Sequence, residues 1–268
     1  MRKLLQEKVE YSIDVIRRWR SEADRWGGYI CCYSGGKDSE VLLELFKESG
    51  VVFRAEYNVT TNDSPENVRF IRKYHPEVLF VHPKRTFLEL IEDNNMLPMT
   101  NKRFCCRKLK EGGQHGFCGV GVRREESSKR ADYLECSFKN WNGKEREEYR
   151  PEKMRVNRKV IVAPILDWTE ADVWEFIEER GLGVNPCYET YGRVGCMFCP
   201  YLSEKTLRYN AGRYPKYRDL LFRSIQRILD KGYMKEHQPL TPEEVFEWWI
   251  SKKTVEKWFS DKKQTRLL

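Results

Sequence analysis

Residues 29–50 narrow the fold more than any other stretch of the chain. Tyr29-Ile-Cys-Cys-Tyr33 reads as a short buried strand, and Ser34-Gly35-Gly36-Lys37-Asp38-Ser39 as a glycine loop. Glu40 to Ser49 reads as a helix, with Val41, Leu42, Leu45 and Phe46 on one face and Gly50 as its stop. A loop between a strand end and a helix start points backbone N–H groups and the positive end of the helix dipole at an anion. Two adjacent glycines let the main chain approach a phosphate closely. Lys37 brings a positive charge, and Ser34 and Ser39 bring hydroxyl donors. Asp38 suits such a loop if it holds a Mg²⁺ ion or orients the turn.

Strand and helix patterns then alternate along the chain. Val51 to Tyr57, Val78 to Val81, Phe117 to Val122 and Lys159 to Pro164 read as further strands. Helices follow at residues 65–75, opened by Pro65, and at Thr86 to Asn94. Another opens at Trp168, capped by Thr169 with Asp172 three residues on and stopped by Gly181. The alternation predicts an α/β fold: a Rossmann-like, doubly wound parallel five-stranded sheet in the order 3-2-1-4-5, with a helical C-terminal appendage. Residues 1–27 are expected to form an amphipathic helix, with Leu5, Val9, Ile13 and Ile16 on its apolar face. That helix packs on the sheet edge or serves as a homodimer contact. Residues 28–202 form the nucleotide-binding domain and 203–268 a helical region whose Trp248 and Trp249 belong to the core. The highly charged stretch 137–158 is expected to be a mobile excursion or lid.

The chain has 268 residues, 40% of them hydrophobic and 34% charged, so it can build a sizeable core. No apolar run approaches a membrane span, which excludes a membrane partner from the expectations. Nine cysteines without a secretory leader predict reduced thiols and a cytoplasmic protein. The net charge of +8 favours anionic ligands, nucleotides before nucleic acids.

The loop lacks the first glycine of the common P-loop G-x-x-x-x-G-K-[ST]. Its sequence SGGKDS resembles instead the PP-loop of the ATP pyrophosphatases, whose usual form is SGGxDS. That superfamily includes PAPS and APS reductases, tRNA thiolation enzymes and the ATP pyrophosphatase of DNA phosphorothioation systems. The resemblance implies that Ser34, Gly35, Gly36, Lys37, Asp38 and Ser39 bind an adenine nucleotide. It also implies that the polar turn after the second strand borders that nucleotide, which makes Thr60, Thr61 and Asp63 candidates for ribose or base contacts. Gly121-Val-Arg123-Arg124-Glu125-Glu126-Ser127 follows the fourth strand, where the family carries G-x-R-x-x-E-S. Two arginines and the two serines Ser127 and Ser128 at a strand end make an oxyanion clamp. Gly121, Arg123 and Ser127 are therefore candidate nucleotide ligands, and Lys37, Asp38, Arg123 and Arg124 candidate catalytic residues.

Four cysteines form the second chemical feature. Cys105-Cys106 lies among five basic residues, Lys102, Arg103, Arg107, Lys108 and Lys110, which predicts lowered thiol pKa values. Cys196-x-x-Cys199 lets two thiolates chelate one centre. Adjacent cysteines suit a [4Fe–4S] cube better than zinc, because each iron takes one thiolate at its own corner. Zinc is the alternative. Iron–sulfur APS reductases carry a similar CC…CxxC set within a run that this chain matches. The matching residues are Pro164 to Trp174, Asn185-Pro186-Cys-Tyr188 and Gly195-Cys196-Met-Phe-Cys199. The resemblance implies a [4Fe–4S] cluster on Cys105, Cys106, Cys196 and Cys199.

Two departures separate the chain from those reductases. They attack a sulfonucleotide with a cysteine near the C-terminus, and here no cysteine follows Cys199. They also carry a degenerate phosphate loop, whereas this one is intact and includes Lys37. The intact loop argues for ATP with Mg²⁺, split between its α and β phosphates, giving an adenylated acceptor and pyrophosphate for sulfur transfer. The acceptor is left open between DNA, tRNA and a small metabolite, with a cysteine desulfurase as an expected kind of sulfur donor. The alternatives are a PAPS or APS reductase using an external thiol, and a nucleotide-sensing or nucleic-acid-binding subunit without turnover.

Overall fold

The computed structural model describes residues 2–111, 116–139, 146–150 and 159–265. The chain divides into two compact units, and neither is continuous in sequence. The first comprises Met1–Val59, Pro65–His82 and Gly113–Val194, and the second Thr60–Ser64, Pro83–Gly112 and Gly195–Leu268.

The first unit is built on a seven-stranded sheet in the order β3-β2-β1-β4-β7-β5-β6. Strands β1 (Tyr29–Tyr33), β2 (Phe53–Asn58), β3 (Leu79–Val81), β4 (Gly116–Gly119) and β7 (Lys159–Val162) run parallel, in the order expected from the strand–helix alternation. Two strands were not expected. Residues β5 (Cys136–Lys139) and β6 (Arg146–Glu148) extend the sheet antiparallel beside β7. They fall in the stretch read as a lid, because charged residues there hid a short alternation that buries Cys136 and Phe138. The rest of that stretch, 140–145 and 151–158, lies outside the described residues.

Helices α1 (Lys3–Arg18), α2 (Arg20–Arg25), α3 (Lys37–Ser49), α4 (Pro65–Tyr74) and α6 (Glu170–Glu179), with the short α7 (Cys187–Tyr191), complete the main frame of this unit. The predicted single N-terminal helix is broken at Trp19, and Gly27 and Gly28 then take left-handed backbone before β1. Helix α3 ends where Gly50 takes φ +68°, as its sequence predicted. One apolar cluster joins Leu5 and Ile16 of α1, Tyr29 and Cys31 of β1, Leu42 and Phe46 of α3, and Phe117, Val160 and Phe176. It holds the phosphate loop's two flanking elements rigidly.

The second unit is helical. Helices α5 (Phe87–Asn94), α8 (Glu204–Arg213), α9 (Pro215–Asp230), α10 (Pro242–Ser251) and α11 (Val255–Thr265) surround a separate core. Phe87, Ile91, Phe198, Leu207, Ile225 and Trp249 form its centre. The capping boxes read at Thr169 and Thr241 are present, with Asp172 and Glu244 at their third helical positions. Among the described residues no helix is long and apolar enough to cross a membrane.

Candidate active site

The phosphate loop of the first unit is locked by its own hydroxyls and by three side chains from elsewhere in the unit. Ser39 Oγ donates to the Gly36 carbonyl at 2.7 Å and accepts from the Gly36 and Ser34 amides at 3.1 and 3.2 Å. Asn185 Nδ2 donates to the Gly35 carbonyl at 2.9 Å and to Asn67 Oδ1 at 2.7 Å. Asn67 Nδ2 in turn donates to the Ser34 carbonyl at 3.3 Å, and the Tyr188 hydroxyl accepts from the Lys37 amide at 2.8 Å. These contacts turn the loop carbonyls toward the protein and leave the turn compact. Gly35 is required twice over: its φ is +77°, and a β-carbon would meet Asn67 Oδ1 at 2.2 Å. Gly121 is required for a different reason, since its β-carbon would lie 2.7 Å from the Asp38 carbonyl.

Charge is arranged in a chain across this site. Arg123 is buried, with 3% of its side chain exposed, and its Nε donates to Asp38 Oδ1 at 2.6 Å. Its Nη1 donates to Glu125 at 2.8 Å. Arg123 thus orients Asp38 in this structure. Lys37 Nζ stands 3.4 Å from Asp38 Oδ2 and 3.5 Å from Glu170, long contacts for an ammonium of which 14% is exposed. The other oxygen of Asp38 and the Lys37 ammonium are therefore the loosely held charges of the loop. Burial raises the pKa of Tyr188 despite the nearby Lys37, keeping its hydroxyl protonated.

Arg124 is not brought to the loop. Its guanidinium is spent on Asp167 and on the carbonyls of Ala131 and Tyr133, so the arginine pair does not act as one clamp. Ser127 is exposed beside the turn Arg124–Glu126. Asn67, Asn185, Tyr188 and Glu170 are the residues the sequence reading left without a role. Asn185 and Tyr188 stand in the run N-P-x-Y, and that recurrence was the available signal.

The four cysteines and the turn Thr60–Ser64 belong to the second unit. Asn62 pins the C-x-x-C segment: its Oδ1 accepts from the Phe198 amide at 3.1 Å and its Nδ2 donates to the Phe198 carbonyl at 3.1 Å. The Asp63 carboxylate accepts from the Thr60 amide and hydroxyl, both at 2.7 Å, and Thr60 Oγ1 lies 3.6 Å from Cys196 Sγ. Thr61 takes φ +57°, an outlier for a β-branched residue, and its hydroxyl accepts from the Phe87 amide. Thr60, Thr61 and Asp63 thus build the turn that carries the cysteine loop.

Two of the four thiols, Cys105 and Cys196, are raised and not lowered as expected. Cys105 is pushed up by its hydrogen bond with Cys106, then by burial and by the charges of Cys106 and Cys196. Cys196 is pushed up by burial, which outweighs the opposing Lys110 ammonium. Lys110 is raised by Cys196 first, then by Asp63, Cys106 and Cys199. Cys106, Cys196 and Cys199 therefore share the electrostatic neighbourhood of Lys110, and Cys105 joins it through Cys106 and Cys196. The basic side chains Lys102, Arg103, Arg107, Lys108 and Lys110 are exposed, whereas Cys105 is buried and Cys106, Cys196 and Cys199 are half-buried. Among the described residues no three Cys, His, Asp or Glu side chains stand at metal-ligating spacing. Four thiols are a fitting donor set for a thiolate-bound metal group, but drawing them onto one centre requires the side chains or the π-helical turn Cys106–Glu111 to move.

Residues 28–202 match the phosphoadenosine phosphosulfate reductase domain, and the chain belongs to that family. Sulfate adenylyltransferase subunit 2 of Rhizobium tropici is 26% identical over 66% of this chain and 61% of its own length. The chain thus spans less than two thirds of that relative. The protein of the same name from Shewanella woodyi is 30% identical over 69% of this chain and 67% of its own length. Among solved structures, PAPS reductase from Candida auris, in a phosphate complex, aligns with 73% of this chain and 96% of its own. Its TM-score is 0.49 at 14% identity.

Proposed function

We propose that the chain binds ATP with Mg²⁺ at Ser34 to Ser39 and adenylates an acceptor, releasing pyrophosphate, as a step in sulfur transfer. The observation that carries this reading is the intact loop with Lys37 only loosely held by Asp38 and Glu170. Two carboxylates at 3.4 and 3.5 Å are weak partners that a polyphosphate would replace. In the proposed reaction an acceptor oxygen attacks the α-phosphorus, the α–β bridging bond breaks, and pyrophosphate leaves. The Lys37 ammonium and the α3 N-terminus stabilise the charge on the leaving pyrophosphate. Asp38, oriented by Arg123, offers its second oxygen to Mg²⁺, which would neutralise phosphate charge when bound. Relatives named for adenylyl transfer to sulfate support the same bond cleavage, and their designation as subunit 2 supports assembly with a second subunit.

Cys105, Cys106, Cys196 and Cys199 would hold a [4Fe–4S] cluster, with zinc as the other occupant such thiols accept. A bound cluster would supply electron transfer or a site for sulfur. The family match to a sulfonucleotide reductase domain favours a second reading, reduction of PAPS or APS by an external thiol. Calorimetry separates the two. Lys37→Ala should weaken ATP binding by about 1.5–3 kcal/mol, the worth of a charge-assisted contact, and leave a nucleotide without β and γ phosphates almost unaffected. Tight PAPS or APS binding that depends equally on Lys37 would put the reductase first.

A further inference from the structure

The second unit contains a pocket of about 300 Å³ that none of the chemistry above uses. Its walls come from two segments and a helix end. Met99 and Thr100 form one side, Pro200 to Ser203 the next, directly after Cys199, and Trp249 and Lys252 close the third. This size is at the small end of ligand pockets and suits a single planar group. Tyr201 stands at the pocket with 54% of its surface exposed, although its hydroxyl donates to the Thr100 carbonyl at 3.3 Å. The Arg103 guanidinium lies 4.8 Å from the centre of the Tyr201 ring.

Lys252 makes the strongest case for a ligand. It follows α10 in left-handed backbone, φ +59°, where glycine is the ordinary choice. A side chain there is strained, and strain of this kind gathers at functional positions. The strained position lets the Lys252 ammonium donate to the Pro200 carbonyl at 2.8 Å and stand 5.3 Å from the Trp249 ring centre. Glu204, the first residue of α8, is paired with Arg208 at 2.8 Å, so it is only partly available to Lys252.

We propose that this pocket receives one base of a single-stranded nucleic acid, stacked on Tyr201, with Arg103 and Lys252 meeting the adjoining phosphates. An exposed aromatic ring flanked by cations is the combination that binds single strands: every base has a face to stack, and every linkage carries a negative charge. A base held in a duplex could not enter so small a pocket without being flipped out. The inference rests on the reading of an adenylated acceptor and deepens it, naming that acceptor's class as single-stranded nucleic acid.

The test is fluorescence anisotropy of the whole chain with labelled single-stranded DNA and RNA of about 12 nucleotides. Tyr201→Ala should weaken binding roughly tenfold, whereas Tyr201→Phe, which keeps the ring and loses only the hydroxyl, should stay within about twofold. Lys252→Gly suits the left-handed backbone and should fold, yet bind roughly fivefold more weakly. Arg103→Gln should lower the salt slope by about one. Tighter binding of one strand type identifies DNA or RNA as the source, and either result supports the pocket. Equal binding by wild type and Tyr201→Ala, or equally effective competition by a blunt duplex, overturns it. Lys37→Ala should bind the strands normally while binding ATP more weakly. A chain that binds ATP but no single strand therefore defeats this proposal alone, and one that binds strands but no ATP defeats only the adenylation reading.

Discussion

The phosphate loop and the cysteine neighbourhood handle charge in opposite ways. At the loop, charge is kept and paired. Arg123, buried to 3% exposure, is matched by Asp38 and Glu125, and Lys37 rests between Asp38 and Glu170. At the cysteines, charge is suppressed. Burial and neighbouring thiols drive Cys105 and Cys196 toward the protonated form, although Lys110 is close. The contrast follows from solvation: a guanidinium shares its charge among several hydrogen bonds, whereas a lone thiolate in an apolar wall has few donors to stabilise it. A polyphosphate bound as proposed would meet a loop whose charges are already in place. A metal group must expel protons from its own ligands before it can bind.

The sharpest way to break this comparison is to remove the central cation. Arg123→Met leaves Asp38 and Glu125 without their buried partner and should cost about 3 kcal/mol in urea denaturation. Adding Asp38→Asn should recover part of that loss. A cost within the range of a surface ion pair, under about 1 kcal/mol, would mean that the pairing does not organise the loop. Next comes Gly35→Ala, which forces an unfavourable φ and a contact with Asn67. It should cost about 2 kcal/mol by thermal melting and abolish ATP binding, while leaving thiol chemistry unchanged.

Alkylation of the metal-free protein probes the other side. Because their pKa values are raised, Cys105 and Cys196 should react with iodoacetamide at pH 7 at least about tenfold more slowly than a free thiol, as read by mass spectrometry. Fast labelling of either would show that the basic cluster prevails after all.

The smallest effect lies in acid. Asp172 is opposed by burial, but the Lys8 ammonium and the Thr169 amide and hydroxyl outweigh it and hold its pKa below the usual range. A carboxylate depressed in the folded state contributes stability above its unfolded pKa, and that stability is lost as pH falls through the folded value. Wild-type Tm should therefore drop faster than that of Asp172→Asn below about pH 4. Parallel curves would remove Asp172 from the pairing network.

What the sequence alone determined was local. The strand–glycine–helix unit, the stop at Gly50 and the capping boxes at Thr169 and Thr241 are each written within a few consecutive residues, and the alternation of strand with helix along the chain pointed to the order of the five parallel strands. Backbone preference and apolar spacing act over that range. Tertiary structure decided the partners. Arg123 meets Asp38 across 85 positions, and Asn185 meets Gly35 across 150. No spacing rule reaches that far, because which surfaces meet depends on how the core packs. The same holds for the antiparallel β5 and β6, and for the turn Thr60–Ser64, which lies in the second unit although both flanking segments lie in the first. The cysteines show the physical reason most plainly. The neighbours of Cys105 in sequence are basic, but a pKa responds to what surrounds the sulfur in space, and there the neighbouring thiol and burial prevail.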